Sequence, residues 1–240
     1  MTPLRALVII PAFNEDRNLP GVIAALRAEA PSWDLCVVDD GSTDRTAAVA
    51  RGEGASVLRC PVNLGIGGAV QLGYLWGRER GYEVAAQIDG DGQHDPRYLA
   101  AVAAPVLAGQ ADLAVGSRFL GTGGFQSSAV RRAGISYLRW LLGWRCGARV
   151  SDPTSGFRVA GRRAIELFAA GYPSDYPEPE AIALALRSGM RVAEVPVTMR
   201  EREHGRSSIT AVRTLTYLVK VTLALLLLPP SGPLGTGDLA

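Results

Sequence analysis

Apolar residues gather in short runs through the first half of the chain, and each run breaks at a polar turn. Residues 4–10 (LRALVII) form a strand-length run that Pro11 ends. Leu19, Val22, Ile23 and Leu26 then recur at helical spacing within 17–29. Residues 34–38 (DLCVV) predict a buried strand ending in Asp39-Asp40-Gly41, and Ser42 or Thr43 is placed to cap the helix that follows. The pattern continues with a strand at 55–58, a Gly-containing helix at 66–80 and a strand at 84–88 ending in Asp89-Gly90-Asp91. A helix at 98–107 and a strand at 113–115 close the series.

Strand and helix thus alternate through about the first 118 residues, which predicts an α/β fold: a mostly parallel sheet with helices on both faces. Ligands of such open sheets sit beyond the carboxyl ends of the strands. Three strands end in turns rich in polar groups, 11–15, 39–44 and 89–94, and this topology brings them to one edge. The second half is less regular: a loop at 121–128, a helix at 129–142, a turn-rich stretch at 151–157 and a helix at 181–187.

From Val212 to Leu228 the chain is apolar except at Arg213 and Lys220, and Pro229-Pro230 ends the run. It is short for a spanning helix and carries a lysine in mid-segment. Two readings stand: a helix on a membrane surface or a small membrane-protein partner, and a buried C-terminal helix. Residues 229–240 read as a flexible tail.

Composition narrows the class. The chain is 48% hydrophobic and 20% charged, as expected of a globular protein, and its net +2 gives no case for nucleic acid. Three cysteines with no CxxC argue against a disulfide framework or zinc site and for a reducing compartment. Residues 4–10 run directly into a strand, so no signal peptide is read at the start.

Asp89-Gly90-Asp91 is the sharpest chemical feature. Two carboxylates separated by one small residue can face one pocket and hold Mg²⁺ or Mn²⁺, which leaves positions for water and phosphate oxygens. Such a cation makes a diphosphate a better leaving group. Gln93 could add a carbonyl oxygen, with His94 nearby. The plain alternative is a capping turn. Asp39 could accept from a base or ribose, or could shape its turn, and Pro11, Ala12, Phe13 and Glu15 could hold the same group. The glycine-rich stretch 63–69 departs from the G-x-G-x-x-G spacing and follows the third strand, which rejects a nicotinamide site; Gly67 reads as close backbone packing near a donor. A nucleotidyltransferase would carry a Gly- and Arg/Lys-rich loop after the first strand, and residues 11–15 are not one.

The set PAFNE, VVDDGSTDRT, NLGIGGA, DGDGQHDP, VGSRF, SDPTSGFR and REREHGRSS, in this order across about residues 5–210, resembles the family-2 glycosyltransferases of GT-A type. Within them it is similar to the branch of dolichyl-phosphate mannose synthase and related polyprenyl-phosphate sugar transferases. The resemblance implies a GT-A domain over 1–210, followed by the apolar helix at 211–228. It implies a nucleotide-sugar donor (GDP- or UDP-), inversion in one displacement, and Mg²⁺ or Mn²⁺ as cofactor. Position by position, it implies that Pro11, Phe13, Glu15 and Asp39 hold the nucleotide, with Ala12, Gly67, Asp89 and Gly90 beside it. Asp91 and Gln93 would lie nearest the metal, with Asp89. Arg118 would lie near the transferring phosphates. Arg131, Arg132 and Ser136 would grip an acceptor phosphate, and Arg202, Arg206 and Ser207 would close over the donor diphosphate.

The segment Tyr176–Glu180 is more acidic and proline-rich than expected for a lipid-phosphate transferase. A sugar-hydroxyl acceptor needs a general base, for which Glu178 or Glu180 would serve; a phosphate acceptor does not. These carboxylates could instead simply complement a helix N-terminus. A nucleotide-sugar-binding module without turnover is a third reading, which the acidic turn and the late arginine motif oppose. The expected location is cytoplasmic, at the cytoplasmic face of a membrane.

Overall fold

The structure is a computed structural model; it describes residues 4–120, 129–200 and 211–227, without the side chains of 129–131 and 211–215. The expected loop at 121–128, the tail at 229–240, and Arg202, Arg206 and Ser207 lie outside the described residues.

Seven strands form one sheet: β1 (Ala6–Ala12), β2 (Asp34–Asp39), β3 (Ser56–Arg59), β4 (Val84–Gln87), β5 (Leu113–Ser117), β6 (Arg158–Gly161) and β7 (Val192–Pro196), in the order β3-β2-β1-β4-β6-β5-β7. All pairings are parallel except those of β6, which runs antiparallel to β4 and β5. The helices are α1 (Leu19–Glu29), α2 (Thr46–Gly52), α3 (Gly65–Glu79), α4 (Leu99–Leu107), α5 (Ala129–Cys146), α6 (Arg162–Ala170), α7 (Pro177–Arg187) and α8 (Ala211–Leu227).

Alternation along each strand divides the core. Leu7 and Ile9 of β1 and Cys36 and Val38 of β2 face a cluster built with α3, α6 and α7. Val8, Ile10, Leu35 and Val37 face the cluster built with α1, α2 and α4. A one-residue slip would exchange these sets, so the register is strongly specified. Burial of each such side chain contributes up to about 1.5–3 kcal/mol.

The alternating first half matches the expectation to within a few residues. The structure adds β6, α6 and β7, which the sequence reading lacked. It also starts α7 at Pro177 rather than Ala181; proline fits the first turn because those N–H groups need no intrahelical acceptor. The cap of α2 differs as well. Asp44 Oδ1 accepts the Thr46 N–H (2.8 Å), while Ser42 Oγ accepts the Asn14 N–H (2.9 Å) from the neighbouring turn.

Helix α8 packs one face on α5 and α7, where Val221 and Leu225 are buried with Leu138, Leu141, Leu142 and Ala183. Its other face is exposed at Val219, Leu223, Leu226 and Leu227. The buried-helix reading thus describes one side of α8, and the other side is apolar and exposed. Among the described residues no helix is long and apolar enough to cross a membrane.

Candidate active site

Strands β2, β1 and β4 are adjacent and parallel, so their carboxyl-end turns share one edge. Backbone bonds stitch these turns together. The Asp40 N–H donates to Ala12 O (2.9 Å), and the Gly90 N–H donates to Pro11 O (3.2 Å). A Cβ at Gly90 would lie 3.1 Å from Pro11 O and 3.2 Å from the Ala12 Cβ, so the absence of a side chain permits this approach. Asn14 takes a left-handed φ of 57°, and its Oδ1 accepts the Thr43 N–H (2.9 Å). Thr46 Oγ1 accepts the Glu15 N–H (2.9 Å), and Glu15 Oε2 accepts from Asn18 Nδ2 (2.5 Å). The Phe13 ring stands 47% exposed on this edge.

The two carboxylates of the second turn have separate tasks. Asp40 accepts the Leu64 and Gly65 N–H groups (2.7 and 2.9 Å) and so anchors the start of α3. Asp39 accepts the Ser42 N–H with Oδ1 (2.9 Å), while its buried Oδ2 makes no hydrogen bond and has Arg59 Nε 3.4 Å away. An acceptor oriented in this way suits a ligand donor.

In the third turn, the Asp89 N–H donates to His94 Nδ1 (3.0 Å). A neutral His94 therefore carries its proton on Nε2, which lies 3.7 Å from Asp89 Oδ2. Asp89 Oδ1 is buried without a hydrogen bond. Asp91 is nearly buried, and its Oδ1 accepts the Gln93 N–H (3.0 Å). The main-chain carbonyl of Gln93 is taken by the Arg200 N–H (2.9 Å), which leaves the side-chain amide as the group Gln93 could offer a cation. Among the described residues no three His, Cys, Asp or Glu side chains gather as a metal cage. Two carboxylates on one turn, one with an orphaned buried oxygen, instead fit a cation that completes its shell with phosphate and water.

The segment 151–157 passes beneath this turn. A Cβ at Gly156 would lie 3.3 Å from both Asp89 Oδ2 and His94 Cε1. Arg118, at the end of β5, is nearly buried and donates to Asp152 from Nε and Nη2 (both 2.7 Å) and to Thr154 Oγ1 (2.7 Å). Those two nitrogens are thus committed within the protein. Glu194 in turn accepts the Ser151 and Asp152 N–H groups (2.7 and 2.8 Å).

Arg158 is fully buried and donates to Ser155 O (3.0 Å), Tyr172 Oη (3.4 Å) and Glu178 O (2.5 Å). It ties the first turn of α7 to the strand beside β4. Burial raises the Glu178 carboxyl above the ordinary range, Arg158 pulls it back down, and Asp89 adds to the rise. Burial raises Glu180 too, helped by Asp175 and Glu178 rather than by the acidic turn. Of the two acidic candidates, Glu178 is the one that senses Asp89.

The structure therefore brings together residues 11–15, Asp39, Asp89, Gly90, Asp91 and Gln93. Gly67 is a position of close backbone packing, as expected: its N–H donates to Ser174 O (3.2 Å), and a Cβ there would meet Pro173 O at 2.0 Å, so Gly67 packs α3 on the segment leading to α7. Arg132 and Ser136 are exposed on α5, four residues apart and hence on one face, and the Arg131 side chain is outside the described set. Sequence reasoning missed Arg158 and Asp152. The signal for Arg158 was present as a lone charge between Phe157 and Val159.

The profile described as Glycosyl transferase family 2 matches residues 7–166. The chain belongs to glycosyl transferase family 2. Among relatives of this family-2 glycosyltransferase, a polyprenol monophosphomannose synthase of Mycolicibacterium smegmatis is 35% identical, covering 90% of this chain and 85% of that protein. An undecaprenyl-phosphate mannosyltransferase of Micrococcus luteus is 34% identical, covering 91% and 93%. The crystal structure of glucosyl-3-phosphoglycerate synthase from Mycobacterium tuberculosis, with Mn²⁺, uridine diphosphate and phosphoglyceric acid, superposes with a TM-score of 0.70 over 93% of this chain and 78% of that one, at 24% identity. That likeness establishes a shared fold.

Proposed function

We propose that this glycosyltransferase moves a hexose from a GDP- or UDP-sugar to a polyprenyl phosphate, with inversion and with Mg²⁺ or Mn²⁺ at Asp89, Asp91 and the Gln93 side chain. One observation carries the reading. The acidic turn is hydrogen-bonded through Gly90 to Pro11, so carboxylates suited to a cation and acceptors suited to a nucleoside lie on one strand edge. When bound, the cation would neutralise charge developing on the departing diphosphate. Asp39 Oδ2 would accept from the nucleoside, and Phe13 would offer it an apolar face. The polyprenol and undecaprenyl-phosphate relatives support the acceptor. A phosphate acceptor is already an anion and needs no base; Arg131, Arg132 and Ser136 would hold it. Arg202, Arg206 and Ser207 would close over the donor diphosphate; Arg200, just before them, is hydrogen-bonded to Gln93. The same reading places the enzyme at the cytoplasmic face of a membrane, where soluble nucleotide sugars meet a lipid-borne phosphate.

A second reading, transfer to a sugar hydroxyl in glycan assembly, is favoured by the raised Glu178 carboxyl, to whose rise the Asp89 charge contributes; Glu180 would be the other candidate base. A panel of labelled GDP- and UDP-sugars with Mg²⁺ or Mn²⁺, offered polyprenyl phosphate or sugar alcohols, separates the two. Label extracted into organic solvent supports the first. Water-soluble product alone, abolished by Glu178→Gln or Glu180→Gln, would replace it with the second.

A further inference from the structure

Helices α5 and α8 lie side by side. Tyr137 Oη is 3.0 Å from Thr222 Oγ1, and Arg145 donates from Nε and Nη2 to Leu225 O and Leu226 O (3.2 and 3.1 Å). Both helices bury one apolar stripe, and both also present a second one outward. On α5 this is Tyr137, Trp140 and Trp144, at i, i+3 and i+7. The two indoles are 62% and 64% exposed and stack with centroids 6.1 Å apart and planes within 5°. On α8 the matching stripe is Val219, Leu223 and Leu227, with Leu227 79% exposed. An apolar cavity of about 420 Å³, lined by Tyr137, Leu218, Val219, Thr222 and Leu223, joins the two stripes into one patch.

A patch of this kind in water marks a binding surface. Charge identifies its occupant. The two helices carry six of the chain's 25 basic residues and none of its 23 acidic ones. Lys220 is paired with the exposed Asp175 of the segment before α7, but exposed tryptophan and tyrosine on helices that themselves carry only cations match the headgroup level of an anionic bilayer, where the rings are half solvated and the charges meet lipid phosphates. A partner helix from a membrane protein would bury the patch but would not call for two helices that carry basic and no acidic residues.

We propose that the α5–α8 face docks in the plane of an anionic lipid bilayer, with Trp140 and Trp144 as its interfacial anchors. Arg132 and Ser136 stand on the same helix one to three turns before those anchors, so docking brings them to the level of lipid phosphates. That consequence rests on the acceptor reading above, whereas the docking itself does not.

The test uses the full chain with vesicles of phosphatidylcholine alone and of phosphatidylcholine with phosphatidylglycerol, read by co-sedimentation and by quenching of tryptophan emission with brominated lipid. Binding should favour the anionic vesicles and weaken with salt. The double variant Trp140→Ser/Trp144→Ser should bind about tenfold or more weakly and lose the quenching, since each buried aromatic side chain supplies at least that factor. Both side chains are exposed, so the variant should keep the wild-type urea midpoint. Leu223→Ser on the other helix should weaken binding as well. Three outcomes overturn the proposal: no vesicle binding, vesicle binding unaffected by the tryptophan variant, or capture by a membrane protein with no affinity for lipid alone. Vesicle binding without sugar transfer would remove the acceptor reading and leave the docking; transfer to a short-chain polyprenyl phosphate without vesicle binding would do the reverse.

Discussion

Replacing Asp152 by Asn should destabilise the fold more than almost any other single isosteric change. The carboxylate is fully buried and accepts from the Arg118 backbone N–H (3.0 Å), Nε (2.7 Å) and Nη2 (2.7 Å), and from Thr154 Oγ1 (3.2 Å). An amide keeps the shape but removes the charge and turns an NH₂ toward donors. Breaking a buried, hydrogen-bonded ion pair from one side costs roughly 3–5 kcal/mol, because the remaining charge stays desolvated. Typical domains hold only about 5–15 kcal/mol in total. Urea unfolding of Asp152→Asn should therefore show a large drop in midpoint at unchanged slope. The double variant Arg118→Met/Asp152→Leu removes both charges and should return to within about 1–2 kcal/mol of wild type. Activity of that folded double variant then isolates Arg118. A loss on the order of 10²–10³ in kcat would place Arg118 among the groups acting on the transferring phosphates. A cost below about 1 kcal/mol for Asp152→Asn, or strict additivity in the double variant, would refute the reasoning.

Other consequences follow from the same geometry. Gly67→Ala should cost about 1–3 kcal/mol by overpacking, because its Cβ would start 2.0 Å from Pro173 O and 2.4 Å from Ser174 O; a calorimetric Tm within a degree of wild type would contradict this. Glu178 is raised by burial in the folded state, so the folded protein keeps a proton that the unfolded chain gives up, and stability falls as pH climbs from the ordinary carboxylate value through the folded one. Glu178→Gln should accordingly gain stability over wild type as pH rises above the ordinary carboxylate value of about 4, and a difference that is flat or opposite in sign there would count against the shift. Asp91→Asn should lower metal-dependent turnover by about a hundredfold or more, since neutralising a diphosphate is worth several kcal/mol. Titration of the variant with Mn²⁺ and nucleotide, read by paramagnetic relaxation, should show the lost cation, and an unchanged titration would disprove its assignment.

The first half of the fold was legible because its signal is local. Apolar runs such as 6–10 and 35–38 are buried on both faces, as a central parallel strand requires, and a polar turn follows each strand; β1 itself stays paired through Pro11 and ends at Ala12. Once the order β2-β1-β4 is granted, convergence of the three turns is a matter of topology. The second half was opaque because its elements are fixed at long range. Strand β6 contains a charged residue and only four positions, and it becomes a strand by lying antiparallel between β4 and β5. Its Arg158 is tolerated in the core because carbonyls of 155 and 178 and the Tyr172 hydroxyl receive its protons. Asp152 likewise finds Arg118 34 positions away and draws its backbone support from Glu194. No window of sequence contains those partners. Gly67 shows the same limit: its lack of a side chain was visible, but its reason, the backbone of 173–174 against its Cα, was not.

These long-range ties also connect the acidic turn to its surroundings. Gly156 lies against Asp89, Arg158 follows two residues later and grips the carbonyl of Glu178, and Glu178 responds electrostatically to Asp89. A change of charge at Asp89, such as a bound cation, would therefore reach the first turn of α7 through one buried arginine. Arg158→Lys, which keeps the charge but cannot span three acceptors, should then lower kcat more than it raises KM for the donor. Tyr172→Phe, which removes one weak acceptor and a weak donation to Gln87 Oε1 (both 3.4 Å), should leave both within about threefold. Equal losses in the two variants, or a loss confined to KM, would show that the arginine merely fills the core.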